Sequence, residues 1–581
     1  MNPILLPFPL NVYGLTLELE FGAAKHLHFG IYGEKGTEGT PYPEAQARAQ
    51  ETLQTLLPPT PARILEYGFG SASLATELGA SGYEVTALSP LVEEYRAAQD
   101  SGAEGVNYQH GDLANFEPEE VFDVMLLQQS AQYLDPLQLL VCANSCLKEG
   151  GQLLIADEFL LDDSTRKPQP RPLLANFLRF AQRCGFSAER QRDLGRQVAP
   201  GLVEFAGLLD KHSTTLCERL GIDAAELQQL RGQLEEMATQ YQHALLGYTL
   251  LDLRAGPKLP DQAEFGSIDS FSLQEIKPLF ESSFETSFDE SVWTWKYAAG
   301  RGRAVCARAG GELVAHYGGA PRDILYFGEP SKAIQICDVM VLPEYRSFVS
   351  RDTLFFKTAA TFLEQQVGNC AEHLLGFGFP NQRVLRMARR LGLYDVTDSF
   401  IEIHYPLRVA GAHSDYEIVP FDLLEQEAPA TVDRLWAQMQ EGLRKQIVGK
   451  RDWDYCYYRY CTHPAWARGL YKCLALQSKL DGQTKAVFLL KQQDGGRLLM
   501  DIVGAVEQFP IYVEVLRDTL ALDDIPLLCR TTRAQALKLN LPDAHWQELE
   551  IEIPCNIWTR GPSAEQLQGA WWLTAGDMDF L

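Results

Sequence analysis

Three things are scarce in this 581-residue chain, and each scarcity excludes a class of protein. Twelve cysteines are scattered between Cys142 and Cys555 without one Cys-x-x-Cys pair. That spacing gives neither a zinc-ligand set nor a small disulfide scaffold, so reduced core thiols and no metal are expected. Basic residues are outnumbered, with 51 Lys and Arg against 77 Asp and Glu and a formal charge of -26. A nucleic-acid partner needs clustered cations to neutralise phosphates, so a small-molecule substrate is expected instead. No apolar run approaches the ~20 residues that span a bilayer. The start, Met1-Asn-Pro-Ile-Leu-Leu-Pro-Phe-Pro-Leu10, has neither the basic residues nor the cleavage site of a signal peptide. The chain is therefore read as cytoplasmic, with no membrane partner and an oligomeric state left open. Its length excludes a single core and predicts roughly 2 to 4 domains.

What is present first is alternation. Residues 63–160 interleave short apolar runs (Arg63 to Leu65, Glu84 to Leu88, Val106 to Tyr108, Phe122 to Leu127, Gln152 to Ala156) with helical stretches such as Val92 to Asp100 and Pro136 to Leu147. Strand and helix in turn imply an α/β, doubly wound parallel sheet. Ligands bind such sheets outside the carboxyl ends of the strands, where Glu66, Ser89, Asp112 and Gln128 fall. A helical region from Pro200 to Ala244 and an apolar segment, Tyr248 to Leu253, complete this part, and Arg254-Ala-Gly-Pro-Lys-Leu-Pro260 breaks the pattern. The rest carries an internal echo: Trp293-Thr-Trp-Lys-Tyr297 and Trp453-Asp-Tyr-Cys-Tyr457 each precede a pair of β-like runs. Two related α+β units joined near 406–420 are expected.

The most informative stretch is Arg63-Ile-Leu-Glu-Tyr-Gly-Phe-Gly-Ser-Ala-Ser73, a strand that runs straight into a helix. Gly68 and Gly70 allow a tight turn close to a ligand, and Glu66 offers an acceptor for hydroxyls or an ammonium group. With His110-Gly-Asp-Leu113, Phe122 to Tyr133 and Lys148-Glu-Gly-Gly-Gln-Leu-Leu-Ile-Ala-Asp157 in order behind it, residues 1–255 resemble a class I S-adenosylmethionine-dependent methyltransferase of small molecules. The resemblance implies a Rossmann-like domain in which Glu66, Gly68 and Gly70 hold the methionine part of S-adenosylmethionine. It implies that Asp112 and the Leu113 amide address the adenine, and that Gln128 begins the loop lining the methyl-transfer site. Asp112 alternatively only caps a turn. The family usually ends its second strand in Asp or Glu for the ribose; Val85-Thr-Ala-Leu-Ser-Pro90 has no carboxylate there, and Ser89 is expected to make one such bond. The missing acid also argues against a dinucleotide dehydrogenase.

Lys25-His-Leu-His-Phe-Gly-Ile-Tyr32 and Glu44-Ala-Gln46 resemble the entry segment of the same enzymes, which folds over the cofactor as a lid. Tyr13, Phe29 and Tyr32 then offer faces to a cation, His28 a proton acceptor, and Tyr133 a phenol that positions the nucleophile. Ordinary packing is the alternative for these residues. His26 and His28 as a metal pair lack a third ligand at a usable spacing.

Residues 268–405 resemble the GNAT acyltransferase fold through Trp293-Thr-Trp-Lys-Tyr297, Glu312-Leu-Val-Ala-His-Tyr-Gly318, Asp338-Val-Met-Val-Leu-Pro-Glu-Tyr-Arg346 and Phe377-Gly-Phe-Pro-Asn381. The resemblance implies acetyl-CoA or another acyl-CoA as a second cofactor, near Val341, Arg346, Ser350, Arg351 and Asn381. The loop Arg346-Ser-Phe-Val-Ser-Arg351 departs from the family's glycine-bearing phosphate loop, and the second unit has no recognisable one. The expected order is thus a Rossmann-like class I methyltransferase domain (1–260) followed by two GNAT-like α+β domains (261–410 and 411–581). The rear half either acylates the same scaffold or serves as a non-catalytic substrate-binding or dimerisation module.

Overall fold

The computed structural model describes residues 4, 6–33, 39–166, 168, 171–258, 263–408, 415–493 and 495–578, except 101–104 and 347–349. It divides into two compact units, Met1–Thr165 with Gln169–Gly266, and Arg166–Pro168 with Ser267–Leu581. The break falls just after the Gly and Pro run at 254–260.

The front unit is built on seven strands: β1 (Arg63–Tyr67), β2 (Glu84–Ser89), β3 (Val106–His110), β4 (Phe122–Gln128), β5 (Leu147–Leu160), β6 (Phe186–Asp193) and β7 (Leu246–Ala255). They lie in the order β3-β2-β1-β4-β5-β7-β6. The first five are parallel; β7 is antiparallel to both β5 and β6. Ile64, Leu65, Val124, Met125, Leu126 and Leu127 are wholly buried, as a parallel sheet covered on both faces requires. The strand order reverses between β1 and β4, so the crevice for a ligand opens beyond Glu66 and Gln128. At the far edge, β6 is exposed from Ser187 onward and carries Glu189, Arg190, Arg192 and Asp193, charges that blunt an unpaired edge. The region from Pro200 to Ala244 is not one helix but parts of three: Gly195–Lys211, Ser213–Leu220 and Ala224–Gln242. Gly221, in the left-handed conformation, ends the second, and Asp223 with Glu226 forms a capping box that starts the third.

After a short strand, β8 (Glu264–Ser267), the rear unit runs through β9 (Arg303–Ala309), β10 (Glu312–Tyr326), β11 (Glu329–Val341), β12 (Leu375–Gly378) and β13 (Tyr394–Tyr405). It continues with β14 (Tyr416–Pro420), β15 (Ile447–Gly449), β16 (Tyr471–Ser478), β17 (Thr484–Gln493), β18 (Gly496–Gly504), β19 (Leu527–Thr532), β20 (His545–Asn556) and β21 (Trp571–Trp572). One pattern occurs twice. A Trp-bearing helix precedes three antiparallel strands, then comes a longer helix and a strand parallel to the third: Glu290–Tyr297, β9 to β11, Leu354–Gln366, β12; then Trp453–Cys456, β16 to β18, Phe509–Ala521, β19.

The two halves exchange strands. β13 lies between β19 and β20, antiparallel to both, and β15 with β21 extends the sheet of β10. The pairing of residues 400–405 with 527–532 links the chain on either side of the joint at 406–420, so the two share one core. That core gathers Ile401, Ile403 and Tyr405 of β13 with Phe488, Met500, Leu527 and Trp572.

Candidate functional site

Beyond the ends of β1 and β4 the backbone turns twice in the left-handed region, at Gly68 (φ 72°) and Gly70 (φ 51°). Gly68 has a second constraint: a Cβ there would lie 2.6 Å from the Ser130 Cβ. Ser130 comes from the loop after β4 and donates to the Tyr67 carbonyl at 2.7 Å, so the two loops of the switch point are locked together. Glu66 is 4% exposed, and among the described residues its Oε2 has no hydrogen-bond partner. Burial, with the Glu94 carboxylate adding, pushes its pKa up to about 8. A buried acceptor with no donor fits a cation, which the ammonium group of S-adenosylmethionine would supply.

The end of β2 has no carboxylate of its own, and one is brought beside it by Glu94. It enters from the first turn of the helix Val92–Asp100, is 4% exposed, and through Oε2 accepts from the Ser89 hydroxyl at 2.7 Å and the Gly70 amide at 3.3 Å. Ser89 is wholly buried, and its Oγ also accepts from the Leu91 amide at 3.1 Å. Its hydroxyl thus orients Glu94 rather than facing a ligand. Spacing within a strand motif does not point to a residue five positions later on a helix, which is why sequence reading passed over it. Asp112 is exposed and caps the short helix Leu113–Asn115 through the Ala114 amide at 3.0 Å, so the turn-capping alternative holds for one of its oxygens. Leu113 is buried beneath that turn, and the Gln128 Nε2 is buried without a partner at the crevice.

The N-terminal segment straddles both loops. The Lys25 carbonyl accepts from Ser71, His26 Nδ1 lies 3.0 Å from the Ser73 hydroxyl, and the Phe29 amide donates to Gln129 Oε1 at 3.0 Å. Gln46 fixes the segment from behind by donating to the carbonyls of His26 and His28. His28 keeps Nδ1 on its neighbour's carbonyl and leaves Nε2 buried and unpartnered; burial holds its pKa below the ordinary value, so the ring is neutral. Tyr32 faces the helical cap, donating to Glu204 at 2.9 Å with its ring against Gly201. Tyr13 packs edge-on to Phe205, and burial raises its phenol, with Tyr133 and Glu158 adding. Tyr133 is 78% exposed at the crevice mouth.

Beside these stands a group that sequence reading missed, on the outgoing end of β5, the start of β7 and the helix before it. Asp157 accepts from the Gln132 amide at 3.1 Å and the Glu158 amide at 2.7 Å, which pins the loop carrying Tyr133. Burial raises the Asp157 pKa to about 7. Glu158 is paired with Arg171 and accepts from the Tyr241 hydroxyl, while the Tyr248 hydroxyl is buried without a partner among the described residues. Among the described residues no group of three or more His, Cys, Asp or Glu is placed to hold a metal ion, and no helix is long and apolar enough to cross a membrane.

In the rear unit β11 and β12 run parallel from Ala333↔Leu375 to Ile336↔Gly378 and then part. A cavity of about 360 Å³ opens in the gap, lined by Cys337, Asp338, Phe355, Phe379, Asn381 and Tyr394 among others. Of the residues implied for acyl-CoA, Asn381 lines it while capping the helix Gln382–Arg390. Arg346 donates to the Val341 carbonyl at 2.8 Å, and Arg351 donates to the Leu391 carbonyl while its guanidinium lies 5.2 Å from the Trp558 ring. Ser350 accepts from the Asp352 amide in the turn before Leu354–Gln366. Positions 347–349, including the β-branched Val349, lie outside the described residues. The equivalent gap between β18 and β19 is filled by the chain's own tail. Asp501 accepts from Arg451 at 2.8 Å and from Thr574 at 2.7 Å, Arg451 also binds Asp577 at 2.6 Å, and Arg459 donates to the carbonyls of Gly576 and Met578.

Two family models match the chain: a methyltransferase domain over residues 43–199 and an acetyltransferase (GNAT) domain over residues 265–395. No curated protein matches it. Similar solved structures include a protein assigned as a sarcosine dimethylglycine methyltransferase from Galdieria sulphuraria, 18% identical over 43% of this chain and 100% of that one, with a TM-score of 0.38. The cyclopropane synthase MmaA2 from Mycobacterium tuberculosis is 15% identical over 39% of this chain and 89% of its own, with a TM-score of 0.35. A coclaurine N-methyltransferase bound to N-methylheliamine and SAH is 16% identical over 39% and 74%, with a TM-score of 0.33.

Proposed function

We propose that this chain, in which residues 43–199 form a methyltransferase domain and residues 265–395 a GNAT-type acetyltransferase domain, transfers the methyl group of S-adenosylmethionine to a nitrogen or oxygen of a small metabolite. The observation that carries the reading is the switch-point crevice, where the unpartnered Glu66 Oε2 and the Gly68 turn stand against Ser130. When bound, the cofactor supplies an electrophilic methyl group on sulfur. The chain's own residues then have positional work: Glu66 holds the ammonium end, Glu94 takes the hydroxyls of the ribose, and the backbone at Gly68 and Gly70 lies close beneath. The segment at 25–32 excludes water, and Asp157 fixes the loop that brings Tyr133 to the crevice. In-line displacement from a sulfonium disperses charge, so alignment and dryness matter more than proton transfer. An amine acceptor needs little help from His28 or Tyr133.

The test is titration calorimetry of the full chain with S-adenosylmethionine, beside Gly68→Val. Wild type is expected to bind and the variant to lose binding, because a side chain at φ 72° meets both backbone strain and Ser130. Binding retained by Gly68→Val refutes the assignment of the loop.

A second reading, with 261–410 and 411–581 as two GNAT-like units and the first of them acylating a scaffold from an acyl-CoA, is favoured by the 360 Å³ gap between β11 and β12. The tail in the gap between β18 and β19 makes the second unit the structural partner in that pair. Coenzyme A binding that Asn381→Ala weakens supports it; absence of binding and of thioester turnover leaves the rear unit a binding or dimerisation module. We propose further that the enzyme works in the cytoplasm on tailoring chemistry of bacterial specialised metabolism, with no nucleic-acid or membrane partner. Support comes from twelve free thiols and from the fusion itself.

A further inference from the structure

We infer that the rear unit holds an oxyanion pocket of its own, formed by Arg301, Arg303 and Arg322, which takes a small carboxylate- or phosphate-bearing metabolite. The pocket has a volume of about 220 Å³. It needs neither the methyl-transfer nor the acyl-transfer reading to exist.

The argument starts from charge. Acidic residues outnumber basic ones 77 to 51 in this chain, so carboxylates are available wherever a buried cation serves structure. Elsewhere in the same unit they are used: Arg451 holds Asp501 and Asp577, Arg517 holds Asp543, and Lys296 holds Asp338 at 2.8 Å. Arg322 breaks that pattern. It is 9% exposed; its Nη2 donates to the neutral Gln335 at 3.1 Å, its Nε is buried with no acceptor, and among the described residues no carboxylate reaches it. Arg301, exposed at the mouth, likewise has no acidic partner among the described residues. The acid in the lining, Glu372, holds Lys332 at 2.7 Å and approaches Arg303 only to 3.9 Å. A guanidinium kept out of water without a counter-charge is unfavourable unless something else brings the negative charge.

The walls are arranged for such a guest. The Arg301 guanidinium lies 5.4 Å from the Tyr458 ring and that of Arg322 lies 5.9 Å from the Tyr455 ring, which fixes their planes. Planar forks held in place suit the paired oxygens of a carboxylate or phosphate. The volume lies below the ~300 Å³ at which pockets for drug-sized ligands begin, so the guest is a small metabolite and not a nucleotide. Its position is informative as well. Lys296 lines this pocket and Asp338 lines the apolar cavity, so their ion pair is the partition between the two. A molecule anchored by its anionic end at Arg301 and Arg322 is one ion pair away from that cavity.

The experiment is calorimetric titration of the full chain with two probes, inorganic phosphate and succinate, against Arg301→Gln and Arg322→Gln, each checked for an unchanged melting curve. Heat from one or both probes, weakened about tenfold or more in Arg301→Gln and screened by added chloride, is the expected result. Phosphate alone identifies a phosphate-bearing guest, and succinate alone a carboxylate. Arg322→Gln is expected to behave alike if it folds; Arg301 is exposed and its side chain makes no hydrogen bond among the described residues, so its variant decides the matter either way. No heat from either probe at millimolar concentration, or equal affinity in Arg301→Gln and wild type, overturns the proposal.

Discussion

Replacing Glu66 by Gln is expected to flatten the pH dependence of the ligand-free protein's stability between pH 6 and 9. The folded protein holds this carboxyl at about 8 against an ordinary 4.5, chiefly through burial and secondarily through Glu94. Between those two values the folded state keeps a proton that the unfolded chain has released, so stability is fully present below pH 4.5 and lost as the pH rises through 8. Full ionisation of a carboxyl raised that far costs about 5 kcal/mol, of which about 2 to 3 kcal/mol falls between pH 6 and 9. For a domain of this size that loss is worth roughly 5 to 10 °C in Tm. Glutamine keeps the volume and the acceptor but has nothing to ionise. Melting curves of wild type and Glu66→Gln without cofactor, followed on the transition that cofactor shifts, should therefore converge towards pH 4.5 and draw steadily apart between pH 6 and 9, with the variant the more stable. The same logic governs binding. An ammonium group placed against Glu66 restores its ionised form, so S-adenosylmethionine should expel nearly one proton at pH 7, seen as a binding enthalpy that changes with the buffer, and the variant should expel none. Parallel slopes in the two proteins refute the reasoning, because they mean that Glu66 is not held protonated and has no reason to await a cation.

Glu94→Gln should weaken cofactor binding by about 1 to 3 kcal/mol, or roughly fivefold to 150-fold, and leave the fold intact, as measured by calorimetry; an unchanged affinity removes Glu94 from the ribose. Tyr32→Phe should cost about 1 kcal/mol in the melting of the front unit through the lost bond to Glu204, with methyl transfer retained; a collapse in rate at unchanged cofactor affinity would make Tyr32 catalytic. Arg451→Met should destabilise the rear unit by about 3 to 5 kcal/mol, since it strands Asp501 and Asp577 in the core, and a denaturant midpoint equal to wild type would show that the tail is not anchored there.

Much of the front unit was legible because its signals are local. The apolar runs of β1 and β4 are continuous because both faces of a parallel sheet are covered, and glycine at 68 and 70 marks a backbone that other residues enter only with strain. The segment from Lys25 to Phe29, read as a lid, bridges the loops at Ser71 and Gln129. Partners were harder. Ser89 stood at the expected place, but what its hydroxyl does depends on Glu94, which the following helix brings back over the strand end. Asp157 and Glu158 read as the tail of a strand, and only the approach of β7, Tyr241 and Arg171 turns them into part of a crevice wall.

The rear unit divides along the same line. Its twice-repeated helix and hairpin is written in the two Trp-bearing segments and in the alternation behind them, because a strand's period and a turn's chemistry are fixed by near neighbours. Which strand lies beside which is not. β13 is inserted between β19 and β20, and the residues at 574–578 close one gap while the other stays open; both outcomes are set by packing between segments about 70 to 160 residues apart. From its sequence alone this chain determined a Rossmann-like front, the glycine turn proposed to receive a cofactor and an α+β rear. Tertiary structure decided which charges meet, since hydrogen-bond and ion-pair partners are chosen by proximity in space, and among the described residues that choice leaves one Glu66 oxygen without a donor and Arg322 without an acid.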